Sequence, residues 1–349
     1  VARLTGVRLL AVNAGSTSVK VTVVETGERV QSFASLDGAF AAGTDDIDAV
    51  VHRVVHGGDR TSAVVVDDDV LEELRSLTPL APLHQPAALE ALVRCRVAVP
   101  GRPQVACFDT AFHSTIPVAA RTYALPARLR EQVKVYGFHG LSHGWSASRV
   151  AALAPRAQRV LVAHLGGGQS LCGVVDGRSV VTTMGFTPLD GLVMATRCGA
   201  IDPGALLYLD EHTDEDLARV LEQESGLAGL AGTSDMREVV ERADRGDVDA
   251  GLALDVWTHR FALLAGGCIA AMGGLDALVF TGGVGEHSSV VRARAAGALE
   301  WIGVSIDDDV SEHGSGEEIT AGSAAVRTFV IEAAEDLAMA AEARSLLEV

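Results

Sequence analysis

Two short polar loops interrupt apolar runs in this chain, "NAGSTS" at 13–18 and "HLGGGQS" at 164–170. Glycine permits close approach and lets backbone N–H groups converge on an anion, and Ser16, Thr17 and Ser18 add hydroxyl donors. Either loop alone also fits a plain hairpin turn. A third stretch, "FTGGVGEHS" at 280–288, follows an apolar strand and leads into a helix expected to begin near Ser288. Its glycines suit close passage of a nucleotide, or an ordinary serine-capped turn. Arg53 falls inside the apolar run "VVHRVVHGG", where an unpaired guanidinium is costly, so it needs an anionic partner: a structural carboxylate or a ligand. Arg197 lies in similar surroundings. Asp109 ends the run "VACFD", a strand tip that suits a catalytic acid or an Asx turn. His139 and His143 are four apart, but Gly140 argues against one helix through both. Nor does a Glu follow His139, so a histidine donating to a phosphoryl group fits better than a zinc pair. Phosphate loops with two enclosed arginines and a histidine point to phosphoryl transfer, where catalysis is positioning and charge neutralisation.

These residues must be carried by an alternating α/β chain. Strands are expected at 7–13, 19–25, 49–56, 104–109, 159–165, 170–176, 179–184 and 277–281. Helices are expected at 69–77, 86–96, 142–153, 203–209, 214–224, 235–244, 247–272, 289–300 and 334–348. "DGAFAAGTDDID" and "DRTSAVVVDDD" read as surface connections. Each half shows the same order of events: a strand, a polar glycine loop, a second strand, a tight turn ("ETGERV", "VDGRSV") and a third strand. That order points to duplication. The second loop is followed by a strand and not a helix, which excludes a dinucleotide fingerprint. The two lysines, Lys20 and Lys134, each follow a valine, which excludes a Walker A loop. Two such loops in a duplicated fold resemble the acetate and sugar kinase, Hsp70 and actin superfold, which holds nucleotide phosphates between two hairpins.

At 349 residues the chain is long enough for two domains, and 48% hydrophobic with 21% charged residues describes a globular protein. The net charge of −18 argues against a nucleic-acid or membrane partner, and no run of about 18 apolar residues suggests a membrane span. "VRLLAV" reads as a first strand and not a signal peptide. Five scattered cysteines without a Cys-x-x-Cys fit packing residues in a reduced cytoplasm. Near the end, Glu332, Glu335 and Asp336 gather at the start of a helix. There they suit the helix dipole, or a carboxylate reaching Mg²⁺ through water.

The motifs "VNAGSTSVK", "HRVVHGG", "APLHQP", "FDTAFHSTIP", "YGFHGLSH", "HLGGGQS", "TPLDGLVMATRCGAIDP", "SDMRE" and "FTGGVGEHS" resemble, in order, those of the acetate kinases, over essentially the whole chain. The resemblance implies a duplicated RNase H-like (actin-like ATPase) α/β fold of two domains with a nucleotide cleft between them. The N-terminal domain would be 1–111 closed by 337–349, and the C-terminal nucleotide-binding domain 112–336. It also implies a cytoplasmic homodimer that uses Mg²⁺, with Mn²⁺ as an alternative, to exchange ATP and acetate for ADP and acetyl phosphate by direct in-line transfer. Carried over by motif, Asp109, His139 and Arg197 resemble the catalytic trio, with His139 and Arg197 on the pentacoordinate phosphoryl and Asp109 positioning the groups around it. Arg53 matches the carboxylate-binding arginine, and Val55, Leu83, Phe138 and Pro188 the methyl pocket. Ser16, Ser18 and Lys20 match the first phosphate loop, and Asn13 and Glu335 the metal-holding pair. His164, Gly166, Gly167, Gly168, Asp235, Met236, Arg237, Gly283, Val284, Gly285, Glu286 and His287 match the nucleotide side. The family usually carries Asn where Gly167 and His287 stand and Phe where Met236 stands, and its segment before Arg53 is longer. Propionate or butyrate kinase is the alternative within the class, and a non-catalytic Hsp70- or actin-like nucleotide-gated module the alternative outside it.

Overall fold

A computed structural model describes residues 6–15, 19–314 and 316–348. The chain forms two compact units. The first holds Val1–Ser114, Phe138–Trp145 and Ala334–Val349, and the second Thr115–Gly137 and Ser146–Ala333.

The first unit is built on a six-stranded sheet of β1 (Arg8–Ala14), β2 (Val19–Glu25), β3 (Glu28–Phe33), β4 (Ala49–Val54), β5 (Val64–Val65) and β6 (Gln104–Phe108), ordered β3-β2-β1-β4-β6-β5. The second is built on a five-stranded sheet of β7 (Arg159–Leu165), β8 (Gln169–Val175), β9 (Arg178–Thr182), β10 (Ala277–Thr281) and β11 (Arg327–Val330), ordered β11-β10-β7-β8-β9. In each, three antiparallel strands in sequence order are followed by two strands added parallel to the first. The likeness extends to detail. The pairing of the second and third strands shifts register at the same place in each set, opposite Val23–Val24 and Gly173–Val174, where the third strand carries one extra residue, Val30 and Val180. The turn that follows uses two positive-φ residues in each case, Thr26–Gly27 and Asp176–Gly177, as right-handed strand twist demands. The duplication is therefore written in backbone geometry as well as in motif order.

Strand periodicity decides which side chains share a face. In the first unit Leu9, Ala11, Val51, Val105 and Cys107 pack against Met339, Ala340 and Ala343 of the C-terminal helix Glu335–Leu347. The opposite face, with Leu10, Val12 and Val50, packs on Leu36, Ala39 and the helix Gln85–Ala98. In the second unit the core gathers around Trp257 and Phe261 of the helix Val248–Met272.

Three expectations are corrected. "DGAFAAGTDDID" carries a helix, Leu36–Ala42, because Ser35 caps it and Leu36 and Ala39 are buried. "DRTSAVVVDDD" supplies β5, a short edge strand beside β6. The glycines before Ser288 do not form a loop but the helix Gly282–His287; Ser288 then caps a second helix, Ser289–Gly297.

Candidate active site

Continuing the same strand alternation past the core places Asn13, Arg53 and Asp109 on the helix-facing side of β1, β4 and β6, where the strands end. Burial changes from apolar to polar there, and these three polar groups meet. Arg53 donates from Nε and Nη2 to the two oxygens of Asp109, at 2.9 and 2.7 Å, and from Nη1 to Asn13 Oδ1 at 3.2 Å. Glu335, first residue of the C-terminal helix, brings Oε1 to 3.9 Å from the same Nη1. Asp109 is 1% exposed. Burial works against the charge on Arg53, but the charge and hydrogen bonds of Asp109, helped by Glu335, outweigh it and hold the guanidinium above its ordinary value. The fork is not exhausted by these contacts, since a guanidinium has more N–H groups than these three bonds use. Asp336 next door is committed to Arg29 at 2.7 and 3.0 Å.

His139 stands outside the helix that follows, in the left-handed region at φ 58, and His143 N donates back to its carbonyl. Gly140 is what allows this geometry. Its N–H donates to the Asp109 carbonyl at 2.8 Å, and a Cβ there would run into that same oxygen. His139 is thereby tied to Asp109 through one residue. Val55 and Phe138 are buried, with Phe138 edge-on to His56 at 5.7 Å, whereas Leu83 is 36% exposed. The Gln85 amide fastens the start of its helix to the end of β4, accepting from His56 N and donating to His56 O. Lys20 is exposed and lies directly across from Asn13 in the β1–β2 hairpin, on the same face. Ser16 and Ser18 lie outside the described residues.

Sequence reasoning missed Glu342, two helical turns beyond Glu335. Its carboxyl lies beside the Cys107 thiol, which donates to the Met339 carbonyl at 3.7 Å, directly below Asp109. Burial, with the charge of Asp109 adding, pushes it up to about 7. Nothing in the alanine-rich sequence around it marked this residue.

In the second unit a cavity of about 680 Å³ is lined by Gly166, Gly167, Asp235, Met236, Arg237, Gly283, Val284 and His287 of the expected nucleotide residues. Gln169, Ala195, Leu227, Ser234 and Ser288 complete the lining and were not singled out from sequence as nucleotide residues, although all but Leu227 lie within quoted motifs. His164, Gly168, Gly285 and Glu286 are not part of the lining. Gly285 is buried behind it near Phe280, and Glu286 accepts from Ala333 N. Gly282 has φ 79, and a Cβ there would come within 2.7 Å of the Leu165 carbonyl, so this helix starts hard against the end of β7. Asp235 caps the helix Met236–Asp244 and pairs with Arg237 at 2.9 Å.

Arg197 and Pro188 are also in the second unit. Among the described residues, Arg197 donates to the Pro188 carbonyl at 2.6 Å, and no carboxylate forms an ion pair with it. Burial lowers its affinity for the proton, with Glu222 opposing, so this arginine waits for an anion.

The donor set at Arg53 fits Mg²⁺. Asn13 and Glu335 offer hard oxygen atoms, and Asp109 with Glu335 leaves one negative charge in excess over Arg53. Among the described residues no cluster of three His, Cys, Asp or Glu could hold a metal alone. Mg²⁺ typically takes one or two carboxylates and completes its shell with water and phosphate. No helix among the described residues is long and apolar enough to cross a membrane.

Comparison with known proteins agrees with this geometry. The model of the acetokinase family matches residues 31–341. An acetate kinase of Clavibacter michiganensis is 45% identical over 303 residues, 84% of this chain and 76% of that protein. Among solved structures, a propionate kinase from Francisella tularensis superposes with a TM-score of 0.88 at 35% identity, covering 96% of this chain and 98% of that one. The acetate kinase of Entamoeba histolytica gives 0.89 at 31% identity, covering 98% and 100%. A duplicated fold with a carboxylate-ready arginine in one unit and a glycine-lined cavity in the other thus has its match along nearly the whole chain, which belongs to the acetokinase family.

Proposed function

We propose that this chain is an acetate kinase that reversibly transfers the γ-phosphoryl group of ATP to acetate. An acetate oxygen forms a bond to phosphorus as the bond to the bridging oxygen breaks, giving acetyl phosphate and ADP. No covalent enzyme intermediate is needed. The reaction brings two anions together, so the chain's task is to place cations where charge collects. The unused part of the Arg53 fork takes the acetate carboxylate, while Asp109 fixes its plane. Val55, Leu83, Phe138 and Pro188 supply apolar surface for the methyl group. His139, held by Gly140, and Arg197, free of any carboxylate, neutralise the transferring phosphoryl. Asn13 and Glu335 would hold Mg²⁺, or Mn²⁺, which when bound offsets phosphate charge. Lys20 serves the first phosphate loop, and the cavity of the second unit takes the nucleotide. The observation that carries this reading is Arg53, locked by Asp109 with donors to spare, in a member of the acetokinase family. A homodimer in the cytoplasm is part of the proposal and rests on the family resemblance.

The test is acetyl phosphate formation, trapped as the hydroxamate, from ATP, Mg²⁺ and acetate. We expect turnover by the native chain and at least a 100-fold loss in Arg197→Ala, the scale seen when one charge-stabilising donor is removed. Equal product from both proteins would sink the assignment. Propionate as the preferred acceptor is the second reading, since one matched structure is a propionate kinase. One methylene in an apolar pocket is worth only about 1–3 kcal/mol, so relative kcat/KM for the two acids decides.

A further inference from the structure

One polar side chain in the nucleotide cavity has no role in the account above. Gln169 opens β8, pairs with Leu165 across the Gly166–Gly168 turn, is only 1% exposed, and still lines the cavity. Its Oε1 accepts from the indole Nε1 of Trp257 at 2.8 Å. An indole N–H can only donate, so the amide has one allowed orientation: oxygen toward Trp257, NH₂ away from it. Trp257 is itself fully buried and stacked on Phe261 at 5.4 Å, so the anchor is rigid. Among the described residues no acceptor meets the Gln169 NH₂, and that group is not sealed in the core. Burying an amide without acceptors is costly, so the acceptors must come from the cavity. Gln169 is the one side-chain amide among the lining residues, and it directly follows the glycine turn. Gly167 in that turn offers only backbone: its carbonyl is taken by Ala195 N at 3.1 Å, and a Cβ on it would meet nothing within 4 Å.

We propose that Gln169 binds the nucleotide by donating from its NH₂ to a phosphate oxygen, and that Trp257 is the positioning residue that holds the amide in that orientation. This deepens the reading of the cavity as the nucleotide site and rests on it. A turn without side-chain donors is completed by an amide supplied from the first residue of the next strand. The donor is charge-assisted when a phosphate occupies the site, which makes it worth more than a neutral contact.

The test is calorimetry of ADP and of adenosine binding, with Mg²⁺ and without acetate. Gln169→Met keeps the length and removes both donors; we expect ADP affinity to fall roughly ten-fold and adenosine affinity to stay. Trp257→Phe keeps the stacking and frees the amide; we expect a smaller loss for ADP, and none beyond the Gln169→Met loss when the two are combined. If Gln169→Met melts too low to measure, Gln169→Glu keeps the acceptor for Trp257 and sets a charge against the phosphate, so ADP must again weaken far more than adenosine. Unchanged ADP affinity in either Gln169 variant, or equal losses for ADP and adenosine, overturns the proposal. A native chain that binds neither compound overturns the nucleotide reading of the cavity itself, a distinct result obtained before any variant is compared.

Discussion

Arg53 shows how one side chain answers two questions at once. In sequence, an arginine inside an apolar strand requires an anion but does not say whether it is a ligand or a carboxylate. Asp109 is that carboxylate, and it is also the strand-end acid marked by an unrelated argument. Because Asp109 is 1% exposed, Arg53→Ala strands a buried charge, and about 3–5 kcal/mol of stability should be lost. Asp109→Ala removes the main counter-charge of Arg53 and should also destabilise, less severely because Glu335 remains near. The double substitution should cost clearly less than the sum, since neither charge is then left without its partner. Urea denaturation of the four proteins measures this; additive losses would mean that the pair does not act as a unit. Glu342 marks the limit of reading at this scale. It was illegible because its environment is made by Cys107, far away in sequence, and a lone acid among alanines carries no local signal.

At the scale of elements, long β-branched runs and amphipathic helices were legible, and the repeat order of strand, loop, strand, turn and strand matches the antiparallel start that both sheets share. What escaped were short pieces whose stability is tertiary: Leu36–Ala42, Gly226–Ala231 and Gly282–His287, rich in Ala and Gly, and the two-residue β5. Such segments have weak propensity and fold because neighbours complete them. The Gly140 break was legible, since His139 sits outside the helix as the glycine required. Its reason was not, because the clash at Gly140 is with the Asp109 carbonyl, an atom contributed by another element. Gly140→Ala should therefore displace His139 from Asp109 and lower kcat by at least ten-fold while leaving the Kd for ADP unchanged. Gly251→Ala is the control: a Cβ there meets nothing within 4 Å in a helix interior, so activity should hold and stability should rise slightly. Equal behaviour of the two variants would remove the argument for Gly140.

At the scale of the whole molecule, three buried titratable groups of the first unit each tie stability to pH. His52, bonded to Gln104 Oε1, and His113, bonded to the Phe138 carbonyl, are both lowered by burial from 6.5 to about 4. Each is neutral in the fold, so the stability it contributes is complete above 6.5 and is lost as pH falls toward 4. Glu342 works the other way. Raised from 4.5 to about 7 by burial and by Asp109, it keeps a proton that the unfolded chain releases, and stability falls as pH rises through that interval. Carboxylates paired with arginine, such as Asp276 and Glu318, are lowered and add acid sensitivity only below this range. Between 4.5 and 6.5 the unfolded chain therefore binds about two extra histidine protons and about one fewer at Glu342. From these three groups the net is close to one proton, a contribution to the slope of about 1.4 kcal/mol per pH unit, and Asp190, raised by burial, opposes the histidines as Glu342 does. Glu342→Gln keeps the shape and removes the opposing proton. The melting curves of native chain and variant should coincide near pH 4.5 and separate steadily up to pH 7, with the variant more stable by on the order of 1–3 kcal/mol. The variant's acid side should also be steeper by about 1.4 kcal/mol per pH unit, because one proton opposing the histidines is gone. Parallel curves for the two proteins across this range would show that Glu342 is charged in the fold and that the carboxyl below Asp109 holds no proton.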